Sequence, residues 1–63
     1  MDKSILRKGE VRKRTGLANS TIYLLISKNQ FPKQVPLGVR SVGWISSEID
    51  AWIESRISQR EAA

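Results

Sequence analysis

The fold of this chain is decided by residues 15–28, Thr-Gly-Leu-Ala-Asn-Ser-Thr-Ile-Tyr-Leu-Leu-Ile-Ser-Lys. A glycine suited to a tight turn precedes a segment, about 19–28, whose apolar side chains recur at helical spacing. On a helical wheel Ile22, Leu25 and Ile26 fall on one side, which predicts a buried face. Small polar side chains at the start would let the backbone approach a groove. The pattern predicts the second half of a helix-turn-helix, a motif that lays such a helix in the major groove of DNA.

A short helix is predicted before this segment, over residues 8–15. Its main apolar residue is Val11. Gly16 follows where a residue with positive φ commonly ends a helix. Leu17 is then expected to fill the corner between the two helices. The preceding apolar residues that can reach the core are Ile5 and Leu6.

A β-hairpin is predicted after the second helix. Pro32 prevents that helix from continuing. Two short runs of β-forming residues, 35–37 and 42–45, flank a glycine-containing tip at 38–41, which predicts two paired strands. Pro36 lacks an amide hydrogen, so its strand is expected at a sheet edge. A two-stranded ribbon is not stable alone, so it must pack against the helices as a wing does.

The last predicted helix begins near residue 47. Ser47 and Asp50 have the spacing of a capping box, with aspartate in place of glutamate. An apolar stripe then predicts packing against the domain; it consists of Ile49, Trp52, Ile53 and Ile57. Together the elements predict one domain over 1–63, mainly α with a small β-hairpin, as a winged helix-turn-helix. Its ends, 1–4 and 59–63, are expected to fray.

Basic residues concentrate in the part of the chain that carries the predicted helix-turn-helix. The 63 residues have a net charge of +5. Residues 1–40 contain nine bases and two acids, whereas residues 41–63 contain two bases and four acids. This asymmetry predicts an electrostatic footprint for phosphates, and therefore a nucleic acid partner. An acidic protein or a membrane surface is the weaker alternative, since no basic amphipathic helix is evident.

The composition argues against catalysis, metal binding and membrane insertion. The chain has no cysteine and no histidine, and its six carboxylates form no paired site. The commonest general base and the usual zinc ligands are therefore missing. No apolar run approaches the ~20 residues of a membrane span, and no signal-peptide core opens the chain. We expect a cytoplasmic, non-enzymatic protein that needs no metal or other cofactor.

Short motifs follow one another in a fixed order over about residues 5–57. They are Glu10-Val11, Arg14-Thr15-Gly16-Leu17, Ser20-Thr21-Ile22-Tyr23, Leu25-Ile26, Phe31-Pro32, Leu37-Gly38, Arg40, Val42-Gly43-Trp44, Ser47-Glu48 and Ile49-Asp50-Ala51-Trp52-Ile53. In this order they resemble the AlpA family of small prophage regulators, which belong with the excisionase-like and MerR-like winged helix-turn-helix domains. The resemblance implies a bacterial or phage-encoded protein that binds double-stranded DNA.

Three positions depart from the family pattern. The mildest is Gly9, which stands where proline is common and slightly weakens the start of the first helix. Ala18 stands where the family usually has serine, so the usual capping hydroxyl is missing, and Asn19 or Ser20 is expected to cap the second helix instead. Leu24 stands where the family usually has a basic residue. That change removes a phosphate or guanine contact and alters how bases are recognised, but not the binding mode.

The predicted major-groove contacts are Ser20, Thr21 and Tyr23. Serine and threonine hydroxyls bond base edges or phosphates, and a tyrosine hydroxyl can reach a phosphate. The alternative for Ser20 and Thr21 is helix-start chemistry, and for Tyr23 it is partial burial. Leu24 can contact a thymine methyl, a protein partner, or only solvent.

Backbone contacts are predicted from six basic residues, whose alternative is simple surface solvation. They are Lys28, Arg12, Lys13, Arg14, Lys33 and Arg40. Arg40, at the hairpin tip, could also enter a narrow minor groove. Trp44 and Trp52 could stack on exposed bases, but their apolar neighbours favour a place in the core. Phe31 is expected to anchor the loop before the hairpin.

Three hypotheses for function remain open. The first is a transcription regulator of prophage or genomic-island genes, with the second helix in the major groove and the hairpin on the backbone or minor groove. The second is an excisionase that bends attachment-site DNA. The third, from another class, is a small protein-binding module that uses Tyr23 and Leu24. Because a module this small covers few base pairs, cooperative self-association on DNA is expected; by resemblance, integrase or RNA polymerase is a further partner.

Overall fold

The computed structural model contains three helices and three short strands, and it describes residues 4–62 and their side chains through residue 60. The elements are β1 (Ile5–Leu6), α1 (Lys8–Thr15), α2 (Asn19–Ser27), β2 (Val35–Pro36), β3 (Val42–Ile45) and α3 (Ser46–Ala62). This is the mainly α architecture with a small sheet that the sequence predicts. Both helices of the helix-turn-helix begin at the predicted residue, and α2 ends one residue earlier than predicted.

The turn between α1 and α2 is built as predicted. Gly16 has φ of 72° and its amide donates to the Arg12 carbonyl at 2.7 Å. The Thr15 hydroxyl donates to the Val11 carbonyl at 2.8 Å and accepts from the Leu17 amide at 3.3 Å. Leu17 then packs against the core. A left-handed glycine and one bridging hydroxyl therefore fix the angle at which α2 leaves α1.

The start of α2 corrects one expectation. Neither Asn19 nor Ser20 is the N-cap residue. That position is held by Ala18, whose backbone is extended and whose side chain makes no capping hydrogen bond. Both residues therefore lie within the first turn. The Ala18 carbonyl accepts the first helical hydrogen bond, from the Ile22 amide at 3.0 Å.

The end of α2 is a Schellman motif, which the sequence analysis did not anticipate. Asn29 has φ of 58°, a conformation in which asparagine is tolerated better than most residues. The Gln30 amide donates to the Leu25 carbonyl at 2.8 Å, and the Asn29 amide donates to the Ile26 carbonyl at 3.0 Å. These bonds turn the chain toward the sheet before Pro32 is reached.

The sheet contains the predicted hairpin and an additional strand. β3 is central, with β1 and β2 antiparallel on either side. Leu6 pairs with Trp44, and Pro36 pairs with Val42. Pro36 thus lies on an edge strand, as predicted. The sequence did not reveal β1, because a two-residue strand has no periodicity of its own and its partner lies about forty residues away.

One core joins all three helices to the sheet. Its buried members are Leu6, Val11, Ile22, Phe31, Trp44 and Ile49. Leu25 and Ile26 pack against it, which confirms the predicted apolar side of α2. Two predicted core residues are exposed instead: Ile5 is 42% exposed and Ile57 is 37% exposed. Side chains alternate along a strand, so Ile5 points away from the core that Leu6 enters, and Ile57 lies beyond most of the packed length of α3.

Helix α3 begins one residue earlier than predicted, at Ser46. Ser47 therefore lies inside the first turn and cannot be the N-cap residue of the predicted capping box. Ser46 is buried, and its amide donates to the Ser4 carbonyl at 2.8 Å. The backbone stays helical to Ala62, where the sequence predicts fraying, because Gln, Arg, Glu and Ala are strong helix formers. Residues 1–3 and 63 lie outside the described part of the chain.

Both tryptophans are structural, as predicted. The Trp44 indole is fully buried and donates to the Pro32 carbonyl at 3.0 Å. The Trp52 indole donates to the Gln30 carbonyl at 2.8 Å and packs edge-on against Phe31, with ring centroids 4.8 Å apart. Both indoles thus hold the loop between α2 and β2, which sets the position of the hairpin relative to α2.

Candidate nucleic-acid interface

The polar side of α2 is accessible. Ser20 is exposed, Thr21 and Tyr23 are half-buried, and Leu24 is 53% exposed. Lys28 is exposed at the C-terminal end of the helix. The side of α2 that the sequence predicts for DNA is therefore free to meet a ligand. The opposite side is held by Ile22, which is fully buried.

The turn between α1 and α2 forms a shallow basic depression, here called the turn concavity. It is lined by Gly9, Arg12, Lys13, Gly16, Leu17 and Ala18. Arg12 and Lys13 are both exposed. Because Ala18 is the residue on which α2 begins, the structure brings two of the predicted backbone contacts to the N-terminal end of that helix.

A second basic depression, here called the wing concavity, lies between α1 and the hairpin. It is lined by Arg7, Lys8, Gly9, Arg40 and Val42. The Leu37 amide donates to the Ser41 carbonyl at 2.7 Å and closes the hairpin loop that carries Arg40. The predicted wing residue therefore does not project alone, since it shares its depression with two bases from the start of α1.

Lys8 connects the wing concavity to α2. Its ammonium nitrogen lies 5.1 Å from the centre of the Tyr23 ring. A cation at this distance from an aromatic ring is attracted by the negative charge density of the ring's face. Tyr23 is therefore both half-buried and beside a basic residue.

Two of the predicted backbone contacts lie elsewhere. Arg14 forms ion pairs with Glu10 at 3.1 Å and with Asp50 of α3 at 3.6 Å. Lys33 lines a groove beside α3 together with Glu48 and Trp52, not the wing concavity that holds Arg40. Lys33 precedes the hairpin and faces a different side of the domain from Arg40, whereas Arg14 turns toward one acid of its own helix and one acid of α3.

The sequence analysis missed Arg7 and Lys8 as candidate contacts. Neither is in a recognisable motif, and their approach to Arg40 depends on β1 pairing with β3. The available signal was the position of the two bases directly before and at the start of the first helix. At a helix start, free backbone amides and basic side chains both favour an anion.

Electrostatics favour an anionic ligand at both concavities, because no carboxylate of the described residues lines either of them. The acid nearest in sequence, Glu10, is paired with Arg14. Within residues 4–62 no three metal-ligating side chains come together. In the same part of the chain, no helix is both long and apolar enough to cross a membrane.

A family model described as prophage CP4-57 regulatory protein (AlpA) matches residues 4–57. The chain belongs to the AlpA family. The match includes both helices of the helix-turn-helix, the hairpin and most of α3, so the family pattern extends over nearly all of the described fold.

Two curated relatives support membership of the AlpA family. The chain is 50% identical over 56 residues to uncharacterized protein ORF88 of Enterobacteria phage P4, covering 89% of this chain and 64% of the relative. It is 45% identical over 58 residues to the DNA-binding transcriptional activator AlpA of Escherichia coli (strain K12), covering 82% of this chain and 83% of the relative. The chain thus spans somewhat less than two thirds of the phage relative's length.

Proposed function

We propose that this chain is a DNA-binding transcriptional regulator of prophage or genomic-island genes. In this role α2 lies in the major groove of double-stranded DNA, and the hairpin lies on the neighbouring backbone or minor groove. The proposal assigns no catalysis and no cofactor to the chain, and it places the protein with cellular DNA in the cytoplasm. The similar protein of Escherichia coli, whose name states DNA binding and transcriptional activation, supports it.

One observation carries the proposal: five bases line two depressions, one at the start of α2 and one between α1 and the hairpin, and no acid within the described part of the chain lines either depression. They are Arg7, Lys8, Arg12, Lys13 and Arg40. Surface charges placed only for solubility would be interspersed with acids, as they are on α3. A duplex with one negative charge per ~1.7 Å of axis is the ligand that best matches such a cluster.

The exposed residues of α2 then supply base contacts. Ser20 and Thr21 stand in the first turn, where helix-turn-helix proteins place residues that meet base edges. Leu24 follows one turn later and is exposed, so a thymine methyl is the base group that suits it. Lys28, at the far end of α2, is placed to meet a phosphate across the groove.

A measurement of DNA bending distinguishes the transcription-regulator hypothesis from the excisionase hypothesis. An excisionase needs a bent attachment site. Bending a site of about 20–30 bp by about 40–90° costs of order 1–6 kcal/mol, which the protein contacts must offset. We expect promoter fragments to be bound with little change in gel mobility as the position of the site is varied. A strong position-dependent mobility shift on attachment-site fragments would favour the excisionase hypothesis instead.

Thr21→Ala and Arg40→Ala are expected to differ in kind. The test uses two duplexes, one that wild type selects from a random pool and one of random sequence. Thr21→Ala should lower the ratio of affinity for the selected duplex to affinity for the random duplex by roughly five- to tenfold, because it removes a base-edge hydroxyl. Arg40→Ala should weaken binding to both duplexes by about three- to tenfold and reduce the salt slope by about one, because it removes a phosphate contact. Fluorescence anisotropy with both duplexes measures each effect.

Lys33→Ala is the matched control for Arg40→Ala. Both substitutions remove one exposed positive charge near the hairpin, but Lys33 lines the groove beside α3. We expect Lys33→Ala to bind within about twofold of wild type. Equal losses for the two variants would show that net charge, and not the position of Arg40, determines affinity.

A further inference from the structure

We propose that the wing concavity and the turn concavity form one continuous track for a single DNA strand, with Gly9 at its centre. The track runs from Arg40, past Arg7 and Lys8, to the α1–α2 turn. It rests on the proposed DNA-binding function and adds to it a defined phosphate path, in which Arg7 and Lys8 are binding residues and Gly9 is the point of closest backbone approach.

Shared lining is the first observation. Gly9, which has no side chain, lines both depressions, so the two depressions adjoin at its backbone. A Cβ atom built on Gly9 would meet no other atom within 4 Å. The surface over Gly9 is therefore open, and a phosphate there can approach the helix backbone itself.

The position of Gly9 on α1 is the second observation. It is the second residue of the helix, where backbone amides have no partners inside the helix and point along the axis toward the helix start. Arg7, the N-cap residue, is exposed. Its guanidinium only donates hydrogen bonds, so it cannot cap these amides and is available to an anion. Amides and flanking bases together favour an anion at this point.

The spacing of the bases along α1 is the third observation. Lys8 and Arg12 are four residues apart, as are Gly9 and Lys13, so each pair lies about 5–6 Å apart on the helix surface. Arg14, which points to α3, is outside this row. The bases that line the track thus follow the side of α1 that carries Gly9, and the Lys8 contact with Tyr23 connects the track to α2.

A charge series at Gly9 tests the track, because the site accepts a side chain without steric conflict. Gly9→Glu should weaken binding to any duplex by at least about tenfold at about 100 mM salt, since the carboxylate would repel phosphates and pair with Lys13. Gly9→Lys should tighten binding by about threefold and make the salt slope steeper by about one. Gly9→Ala should bind as wild type.

Folding does not confound this series. Alanine and lysine are better helix formers than glycine, and glutamate is favoured in the first turn of a helix. Gly9→Ala and Gly9→Glu should therefore melt at or above the wild-type temperature. Gly9→Lys should melt close to wild type, because its better helix propensity is offset by like charges at the helix start. Ser58→Glu, on an exposed site of α3, controls for the change in net charge and should bind within about twofold of wild type.

The outcomes separate this inference from the proposed function. If wild type binds duplex DNA and Gly9→Glu weakens it while Ser58→Glu does not, the track is supported. If wild type binds, and both the Gly9→Glu variant and a double variant with Arg7→Gln and Lys8→Gln bind as tightly as wild type, the track is wrong and the proposed function stands. If wild type fails to bind any duplex even at low salt, both are wrong.

Discussion

Raising the salt concentration from about 50 to 200 mM is expected to lower the association constant for duplex DNA roughly 500-fold. Five bases line the proposed track, and each phosphate neutralised contributes about 0.9 to the slope of log K against log salt. A slope near −4.5 across this fourfold change gives the expected loss. Fluorescence anisotropy titrations at four salt concentrations, with a duplex of random sequence, measure the slope directly.

A protein-binding role makes the opposite prediction about salt. If Tyr23 and Leu24 formed a mainly apolar protein contact, affinity for the partner would change little with ionic strength. The chain would then not be retained on DNA at physiological salt. A slope shallower than about −2 would mean that most of the five bases contact no phosphate, and would contradict the proposed interface.

Replacing Trp44 with alanine is expected to unfold the domain. Removing a fully buried tryptophan costs about 3–5 kcal/mol. The single core of a domain below about 70–80 residues rarely supplies more than about 3–5 kcal/mol in total. The substitution also leaves the Pro32 carbonyl without the indole donor at 3.0 Å. Urea unfolding followed by far-UV circular dichroism should show little or no folded baseline for the variant at 25 °C.

Val39→Ala is the control for the Trp44 substitution. Val39 lies at the hairpin tip and is fully exposed. The unfolding midpoint of the Val39→Ala variant should therefore match that of wild type. Trp44→Phe should fall between the two, because a ring is retained while the hydrogen bond is lost. A Trp44→Ala variant that melts within a few degrees of wild type would contradict the assigned core.

Local signals in the sequence were sufficient for the helix-turn-helix. Gly16 marks the turn because its positive φ excludes most other residues, and the spacing of Ile22, Leu25 and Ile26 marks the buried side of α2. Pro36 correctly indicated an edge strand. Each of these features depends on a few consecutive residues, so a pattern along the chain contains the necessary information.

Features that depend on distant contacts were not predictable. β1 exists because Ile5 and Leu6 pair with β3, and this pairing also brings Arg7 and Lys8 to Arg40. Likewise, only the packing of α3 against α1 shows that Arg14 turns toward Asp50. The sequence therefore showed that basic residues are concentrated in this part of the chain, but it did not show which side of the domain each of them occupies.

The central claim is that α2, the start of α1 and the hairpin tip contact DNA while the far half of α3 does not. A titration of the ¹⁵N-labelled protein with duplex DNA, followed by amide chemical shifts, tests this claim residue by residue. The account predicts the largest shifts at Gly9, Ser20, Thr21 and Arg40, with Glu54 and Ser58 unchanged. Shifts concentrated on α3, with the amides of α2 unmoved at saturation, would contradict it.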